Sequence, residues 1–454
     1  MFDHVGELAI APSGTHVCPD TPNLKCFLAC FRRGMDPSNR FKHAYERSHY
    51  RLVGKHKHSA LKPCHWMLAK LFTGRENRNC YKGYFGIQSE KCIQCTPALP
   101  FCTHACVFCW RDIEEGALGP EFNLPSDEPG DLVREFIRHQ RNMIEHHVGS
   151  DSFETNYHLM YELLETGLNG ENCINIPEFS SSRSHSATRV ERAIVLLKTL
   201  GVVHFKDGKH YPLDPAKTGS ADPAEILATH VTTPREIRAA LESARSPSHA
   251  AISLAGEPTL YPRLASLVHE FKRRAFTTFI VTNGTTPDVL ASMDTLPTQV
   301  YLTLPHPDEA IYKKIHRPCI PRAYEKITRG LELLGSLGCR TCLRITMVKG
   351  VNDVRNVDGY VRMVRLANPH FLEIKGFAAE ARAMLVKKRM GLGGKGERIG
   401  ETAAYAPSFQ DVLDYARRIS ERTGWPIVER SKPSRDVLML VNWPRHKSIK
   451  IERA

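Results

Sequence analysis

No apolar run in this sequence approaches the roughly 18 residues that a bilayer-spanning helix needs, so no membrane partner is expected. The opening residues make no clean secretory signal. An acid stands at Asp3, and Leu8-Ala9-Ile10-Ala11 is too short for a hydrophobic signal core. Without such a signal, 14 cysteines in 454 residues do not read as a disulfide scaffold. They point to metal or redox chemistry in a reducing compartment. Acid is also in short supply: 49 Asp and Glu face 62 Lys and Arg, for a formal net charge of +13. That surplus favours a polyanionic partner, nucleic acid first among them, over a merely solvated basic surface. Segment 32–62 is basic and Ser-containing, the composition of an organellar presequence, yet no Arg-rich amphipathic helix stands out in it. The expectation is a cytoplasmic protein, with mitochondrial import as the alternative.

What is present is a block of cysteines between Cys64 and Cys109, densest in CIQCTPALPFCTHACVFCW at 92–110. The spacing C-x3-C-x2-C at Cys102, Cys106 and Cys109 is the informative part. Three thiolates are one fewer than the four that usually close a [4Fe–4S] cubane. The fourth iron is left for a chelating ligand, which in this chemistry is the amino and carboxylate group of S-adenosyl-L-methionine. Reductive cleavage of the sulfonium then gives a 5′-deoxyadenosyl radical. A zinc knuckle would want four ligands, commonly as two C-x2-C pairs, and fits the spacing poorly. Upstream, Cys64, Cys80 and Cys92 could carry a second iron–sulfur cluster, or a zinc ion if Cys95 completes a C-x2-C pair with Cys92. Cys18, Cys26 and Cys30 show no pattern, and Cys173, Cys319, Cys339 and Cys342 read as core thiols.

Behind the cysteines, strand-like runs at 93–96, 250–254, 277–282, 299–304, 342–348, 371–375 and 437–441 alternate with helical patterns at 264–274, 324–337, 357–366 and 408–422. Such alternation implies a parallel sheet covered by helices, here a partial (β/α) TIM-like barrel. Polar motifs follow the strands: Gly256-Glu257-Pro258-Thr259 after the second, Thr282-Asn283-Gly284 at the end of the third, and Arg344 and Lys349 near the fifth. In such a fold the C-terminal ends of the strands are where function collects.

Residues 151–221 interrupt this pattern. A helix-like run at 153–164 precedes a capping box at Thr188-Arg189-Val190-Glu191, which opens a helix ended by Gly201. Two strand-like runs, 202–206 and 209–213, then flank Asp207-Gly208, a type I′ hairpin signal. This order suggests a winged-helix-like module, with Arg183, His185, Arg189 and Arg192 placed for nucleic acid or, alternatively, for a protein. The expected organisation is a basic N-terminal extension (1–60), the barrel with its cysteine block (61–150 and 222–454) and the inserted module (151–221).

The runs NCYKGYFGIQSEKCIQCTPALPFCTHACVFCWR, SLAGEPTLYPRL, FTTFIVTNG and RITMVKGVND resemble the tRNA 4-demethylwyosine synthases, radical enzymes of wyosine-base synthesis. The resemblance covers roughly 64–111 and 249–442. It implies a condensation of N1-methylguanosine, beside the anticodon of tRNA-Phe, with pyruvate. Hydrogen is abstracted from the N-methyl group, the carbon radical couples to pyruvate, a one-carbon carboxylate unit is lost and a third ring closes. By the same resemblance Cys102, Cys106 and Cys109 hold the cofactor cluster. Cys64, Cys80 and Cys92 hold a second [4Fe–4S] cluster on the pyruvate side, and Cys95 is no ligand. Lys82 is the candidate amine for a pyruvate Schiff base, a role that calls for a depressed pKa. Gly256 and Glu257 belong to the cofactor's ammonium contact, and Asn283 to its ribose side.

The sequence departs from that family in places. Thr303-Leu304-Pro305 stands where a Ser-Leu-Asp run is common. The residues before Cys64 are too few for a flavodoxin domain, so no FMN is expected and an external flavodoxin or ferredoxin must donate electrons. The insertion and the glycine-rich basic loop at 391–400 also fall outside the pattern. Two other readings remain at this point: another radical tRNA-modifying enzyme, and a zinc-stabilised RNA-binding protein that would leave GEPT and TNG unexplained.

Overall fold

The computed structural model describes residues 37–73, 79–148, 150–169, 173–200, 202–206, 209–212, 220–230, 234–352, 356–378, 385–390 and 404–451. Cys18, Cys26, Cys30, Gly201, the Asp207-Gly208 turn, the Arg192 side chain and the 391–400 loop lie outside the described residues.

In chain order the strands are β1 (Arg51–Val53), β2 (Ser59–Leu61), β3 (Cys92–Thr96), β4 (Val203–Lys206), β5 (Lys209–Pro212), β6 (His249–Ile252), β7 (Thr277–Thr282), β8 (Gln299–Thr303), β9 (Arg340–Met347), β10 (Phe371–Gly376), β11 (Ile427–Ser431) and β12 (Asp436–Leu440). Ten of them form one sheet in the order β1-β2-β3-β6-β7-β8-β9-β10-β12-β11. From β3 through β10 neighbouring strands run parallel. The two flanks, β1-β2 and β12-β11, are antiparallel additions.

The side-chain period of two sorts residues between the faces of this sheet. Ile280, Val300, Leu302, Leu343, Ile345, Leu372, Ile374, Val437 and Met439 pack on the outer face beneath the helices. The alternate positions Phe279, Tyr301, Cys342, Phe371, Leu438 and Leu440 build a second cluster on the inner face. Two chain segments close that inner face. One is the 3-10 turn Tyr81–Phe85, ended by Gly86 at φ 80°. The other is the C-terminal stretch bearing Trp443, Ile449 and Ile451, tied to the first where Ile451 N–H donates to the Phe85 carbonyl at 2.9 Å.

The central strands lie where the sequence places them, with ends shifted slightly. The flanking strands escape sequence reading for physical reasons. β1 and β2 span three residues each, too few for a period to show. β11 alternates half-buried and exposed positions as an edge strand. The boundary expected at residue 60 therefore falls inside β2. Helix Pro37–Arg47 is also part of the fold, burying Phe41, Ala44 and Tyr45, two of them against Leu99 and Leu254.

The inserted segment contains helices Ser150–Asn169, Ile176–Ser182 and Ala187–Leu200, then the antiparallel pair β4–β5. The short middle helix, capped by the Asn175 side chain, has no counterpart in the sequence reading because Phe179 is its only buried anchor. Leu159, Leu163, Val190, Ile194, Leu197 and Val203 form a core of their own. That core also takes in Met67 and Leu71 from helix His65–Thr73 and Ile144 from helix Pro129–Val148. The module is thus fused to the helix that Cys64 precedes.

Candidate functional site

The loop after β3 carries Cys102, Cys106 and Cys109, and long-range backbone bonds fix its course. Cys102 N–H donates to Gly119 O at 2.9 Å, Ala105 N–H to Arg317 O at 3.0 Å and Val107 N–H to Ile315 O at 2.8 Å. Cys319 N–H returns a bond to Thr103 O at 2.8 Å. All three thiols are half-buried. Burial pushes the Cys102 thiol up to about 12 despite the opposing pull of Arg111, and Cys106 is raised for the same reason. A metal that binds such thiols must displace their protons.

Gly256 sits at φ 74°, and a β-carbon there would lie 2.0 Å from the Ala98 carbonyl oxygen. Its absence lets Glu257 N–H reach Phe101 O at 2.8 Å, which joins the GEPT turn to the cysteine loop. The Glu257 carboxylate is 2% exposed. It accepts from Thr259 Oγ1 at 2.6 Å, Thr282 Oγ1 at 2.7 Å, Thr259 N–H at 3.2 Å and Asn283 N–H at 2.8 Å. Burial raises its pKa while these donors oppose the rise. Asn283 continues the chain: its Nδ2 donates to Thr103 Oγ1 at 2.8 Å and stands 3.8 Å from Cys102 Sγ. Gly256, Glu257, Asn283 and Cys102 therefore form one connected edge at the C-terminal ends of β3, β6 and β7.

Two arginines missed by the sequence reading steady this loop. Arg111 is buried, with Nε and Nη1 lacking a partner among the described residues and Nη2 donating to His104 O at 3.4 Å. Arg389 reaches back from helix Val386–Arg389 to the carbonyls of Val107, Cys109 and Arg111 and to the Glu114 carboxylate. Arg111 directly follows the CVFCW run; Arg389 carried no sequence signal.

Cys64, Cys80 and Cys92 form a second neighbourhood. The Cys92 thiol is raised first by burial and then by Cys80 and Cys64, while Lys82 opposes; Cys64 in turn feels Cys80 and Lys82. Cys80 N–H donates to Ser89 Oγ at 2.9 Å. Lys82 is 4% exposed and lies on the inner face of the sheet. Its Nζ donates to Tyr81 Oη at 2.5 Å and sits 5.8 Å from the Phe279 ring and 5.6 Å from the Tyr301 ring. Burial pulls its pKa down, but negative charge on Tyr81, Cys80 and Cys92 outweighs that, and the net direction is upward.

Cys92 and Cys95 stand three apart on an extended strand, so their side chains take opposite faces. Cys95 packs with Ile93 in the outer core, away from a shared ion with Cys92. Among the described residues, no three His, Cys, Asp or Glu side chains group tightly enough to hold a single metal ion. A tetrahedral zinc site would hold its sulfurs about 3.8 Å apart, whereas a cubane spreads its thiolates over separate irons. In the inserted module Arg183 is exposed and Arg189 half-exposed. His185 is occupied, pairing with Glu162 at 3.2 Å and stacking on Phe179.

Comparison with known proteins gives a consistent picture. Residues 224–358 match the Radical SAM superfamily. The S-adenosyl-L-methionine-dependent tRNA 4-demethylwyosine synthase of Pyrococcus horikoshii is 32% identical over 401 residues, 87% of each chain. That of Methanocaldococcus jannaschii is 27% identical, covering 84% of this chain and 90% of the relative. The fold resembles the structure of TYW1 with a lysine-pyruvate adduct bound (TM-score 0.59, 23% identity, 92% of this chain and 100% of that one) and a crystal structure of archaeal TYW1 (TM-score 0.54, 22% identity, 92% and 100%).

Proposed function

The chain belongs to the S-adenosyl-L-methionine-dependent tRNA 4-demethylwyosine synthases, and on that premise we propose that it condenses N1-methylguanosine of tRNA-Phe with pyruvate, using two cysteine-bound [4Fe–4S] clusters. It is a radical enzyme that acts on tRNA, with S-adenosylmethionine and a [4Fe–4S] cluster as cofactors. The observation that carries the finer reading is the separation of the cysteines into two neighbourhoods on one sheet, with the buried Lys82 amine in the second.

Cys102, Cys106 and Cys109 would hold the cofactor cluster; three thiolates leave one iron open. The cofactor bound there would supply the radical that takes hydrogen from the N-methyl group. Glu257 offers its Oε2, which among the described residues accepts only from Asn283 N–H, as acceptor for the cofactor's ammonium. Asn283 faces the ribose. Gly256 acts by letting the turn close on Ala98 rather than by touching a ligand.

Cys64, Cys80 and Cys92 would hold the second cluster. Lys82 presents an amine to the pyruvate carbonyl, shielded from water by Tyr81, Phe279 and Tyr301. The adduct in the TYW1 structure supports this assignment for the lysine. Lys82 must shed its proton before attack, as any amine nucleophile does, and its Nζ is oriented by donation to the Tyr81 hydroxyl.

Residues 151–221 form a winged-helix-like module that presents Arg183 and Arg189 to tRNA phosphates. The electron comes from a separate flavodoxin- or ferredoxin-type donor, and the enzyme works in the cytoplasm. Anaerobically reconstituted enzyme with methylguanosine-containing tRNA, pyruvate and reductant should release 5′-deoxyadenosine and a tricyclic base. Deoxyadenosine without the tricyclic base would sink the reading.

A further inference from the structure

The inner face of the sheet carries a polar group that neither cysteine set explains. Arg344 on β9 pairs through Nε with Glu373 on β10 at 2.7 Å. The two residues are register partners on adjacent parallel strands. The Glu373 side chain is fully buried and that of Arg344 is 11% exposed. Among the described residues Arg344 Nη2 and Glu373 Oε2 find no hydrogen-bond partner, and the buried Tyr301 hydroxyl finds none either.

The same group faces Lys82. Lys82 Nζ lies 4.2 Å from the Tyr81 ring centroid, Arg344 Cζ 4.5 Å and Lys375 Nζ 4.3 Å. Arg344 and Lys82 also share the Tyr301 ring, at 4.7 and 5.6 Å. Three cations thus surround one phenol, while the carboxylates answering them are Glu373, paired with Arg344, and Asp436, 3.6 Å from Lys375. Asp436 is also engaged by the Tyr84 hydroxyl. The inner face thus holds a guanidinium with an unengaged Nη2 beside the Lys82 amine, in a space of low polarisability where a charge-assisted bond to an anion counts for more than in water. A guanidinium with an idle N–H beside an amine is a matched pair for a 2-oxo acid. The amine takes the carbonyl carbon, and the guanidinium takes the carboxylate through charge-assisted bonds.

We propose that Arg344, held by Glu373, is the carboxylate-recognition residue that makes the Lys82 pocket selective for a 2-oxo acid over a neutral carbonyl compound. This rests on the reading of Lys82 as the substrate amine. The lysine nitrogen adds to the ketone carbon, the carbonyl oxygen leaves as water and an imine forms; the carboxylate stays intact on Arg344. Glu373 positions the guanidinium and makes no substrate contact.

Trapping with cyanoborohydride tests this without turnover, because hydride reduction of the imine leaves a stable mass increase on Lys82. Anaerobically reconstituted enzyme is titrated with pyruvate and, separately, with acetone, and the modified peptide is quantified. Wild-type enzyme should trap pyruvate at far lower concentration than acetone. Arg344→Gln should raise the half-saturating pyruvate concentration by at least about tenfold, the equivalent of one charge-assisted hydrogen bond, and leave acetone trapping unchanged. Arg344→Lys should fall between. If Arg344→Gln melts early, the double variant Arg344→Gln/Glu373→Gln, which strands no charge, takes its place. Pyruvate trapping with wild-type concentration dependence in both variants would overturn the proposal. Absence of any Lys82 adduct in the wild-type enzyme is a different failure, since it removes the amine assignment and this inference with it.

Discussion

Two buried carboxylates, Glu257 and Glu373, lie in the two regions proposed for the chemistry, and they are satisfied in opposite ways. Glu257 takes donors from Thr259, Thr282 and Asn283, and both of its oxygens are engaged. Glu373 leans on one cation, Arg344, and leaves an oxygen idle. The first is held by four donors from three neighbouring residues and fixes the turn beside Cys102. The second is an arrangement of charges with capacity to spare, which is what a site for a small anion requires. The contrast fits the proposed division of labour, a rigid edge for the cofactor and a pocket with an unengaged charge for the carbon donor.

The largest effects should come from the cysteines, one set at a time. Cys106→Ala should abolish 5′-deoxyadenosine formation. Cys80→Ala should retain it and lose the tricyclic product. Each variant should fall from about eight irons to about four, measured by iron analysis after anaerobic reconstitution. Equal loss of deoxyadenosine in both would erase the distinction between the two regions.

Next in size is the charge pair. Breaking it by Glu373→Gln alone leaves a buried guanidinium unanswered and should cost about 3–5 kcal/mol of stability. Removing both charges should recover much of that. Chemical denaturation of the single and double variants measures the coupling, and additive losses would show that the two residues do not act as a pair.

A smaller loss is expected on the rigid edge. Gly256→Ala places a methyl group against the Ala98 carbonyl at a left-handed backbone angle. Strain at such a position costs of order 1–3 kcal/mol, and the clash adds to it. The variant should also shed the iron of the Cys102 set sooner on exposure to air. A melting temperature equal to wild type would mean that the turn relaxes freely.

The smallest effect belongs to the surface. Hydrogen bonds from Arg273 and Arg274 lower the Glu270 carboxyl pKa to about 2. A depressed carboxyl contributes stability that is present above its unfolded value of about 4.5 and is lost as pH falls through 2. The pair faces solvent, so Glu270→Gln should cost less than about 1 kcal/mol and less still in high salt. Urea melts between pH 7 and pH 2.5 would detect a larger share.

Legibility followed how local the interactions are. The Cys102 set occurs in a run whose spacing suggests its chemistry, and Glu257 and Asn283 stand in short runs whose roles the family resemblance implies. The structure brings them onto one edge because each run ends a parallel strand next to the last. Lys82 was readable as a candidate, but its surroundings were not. Tyr81 and the thiols of Cys80 and Cys92 gather about the ammonium and act against the effect of burial, and no pattern announces that. Arg389 arrives from a helix far along the chain to grip three carbonyls of the cysteine loop. Strand β1, a three-residue flank, joins the sheet through pairing rather than through any period of its own.

By itself, then, the sequence determined the parallel sheet and the radical cofactor motif, because periodicity and ligand spacing are written residue by residue. The tertiary structure decided which residues share the inner face. There Arg344 and Glu373 meet across neighbouring strands, Tyr81 enters from a distant turn, and Lys82 is enclosed between them. That convergence depends on strand order and register, which side-chain period constrains only once the strands are assembled.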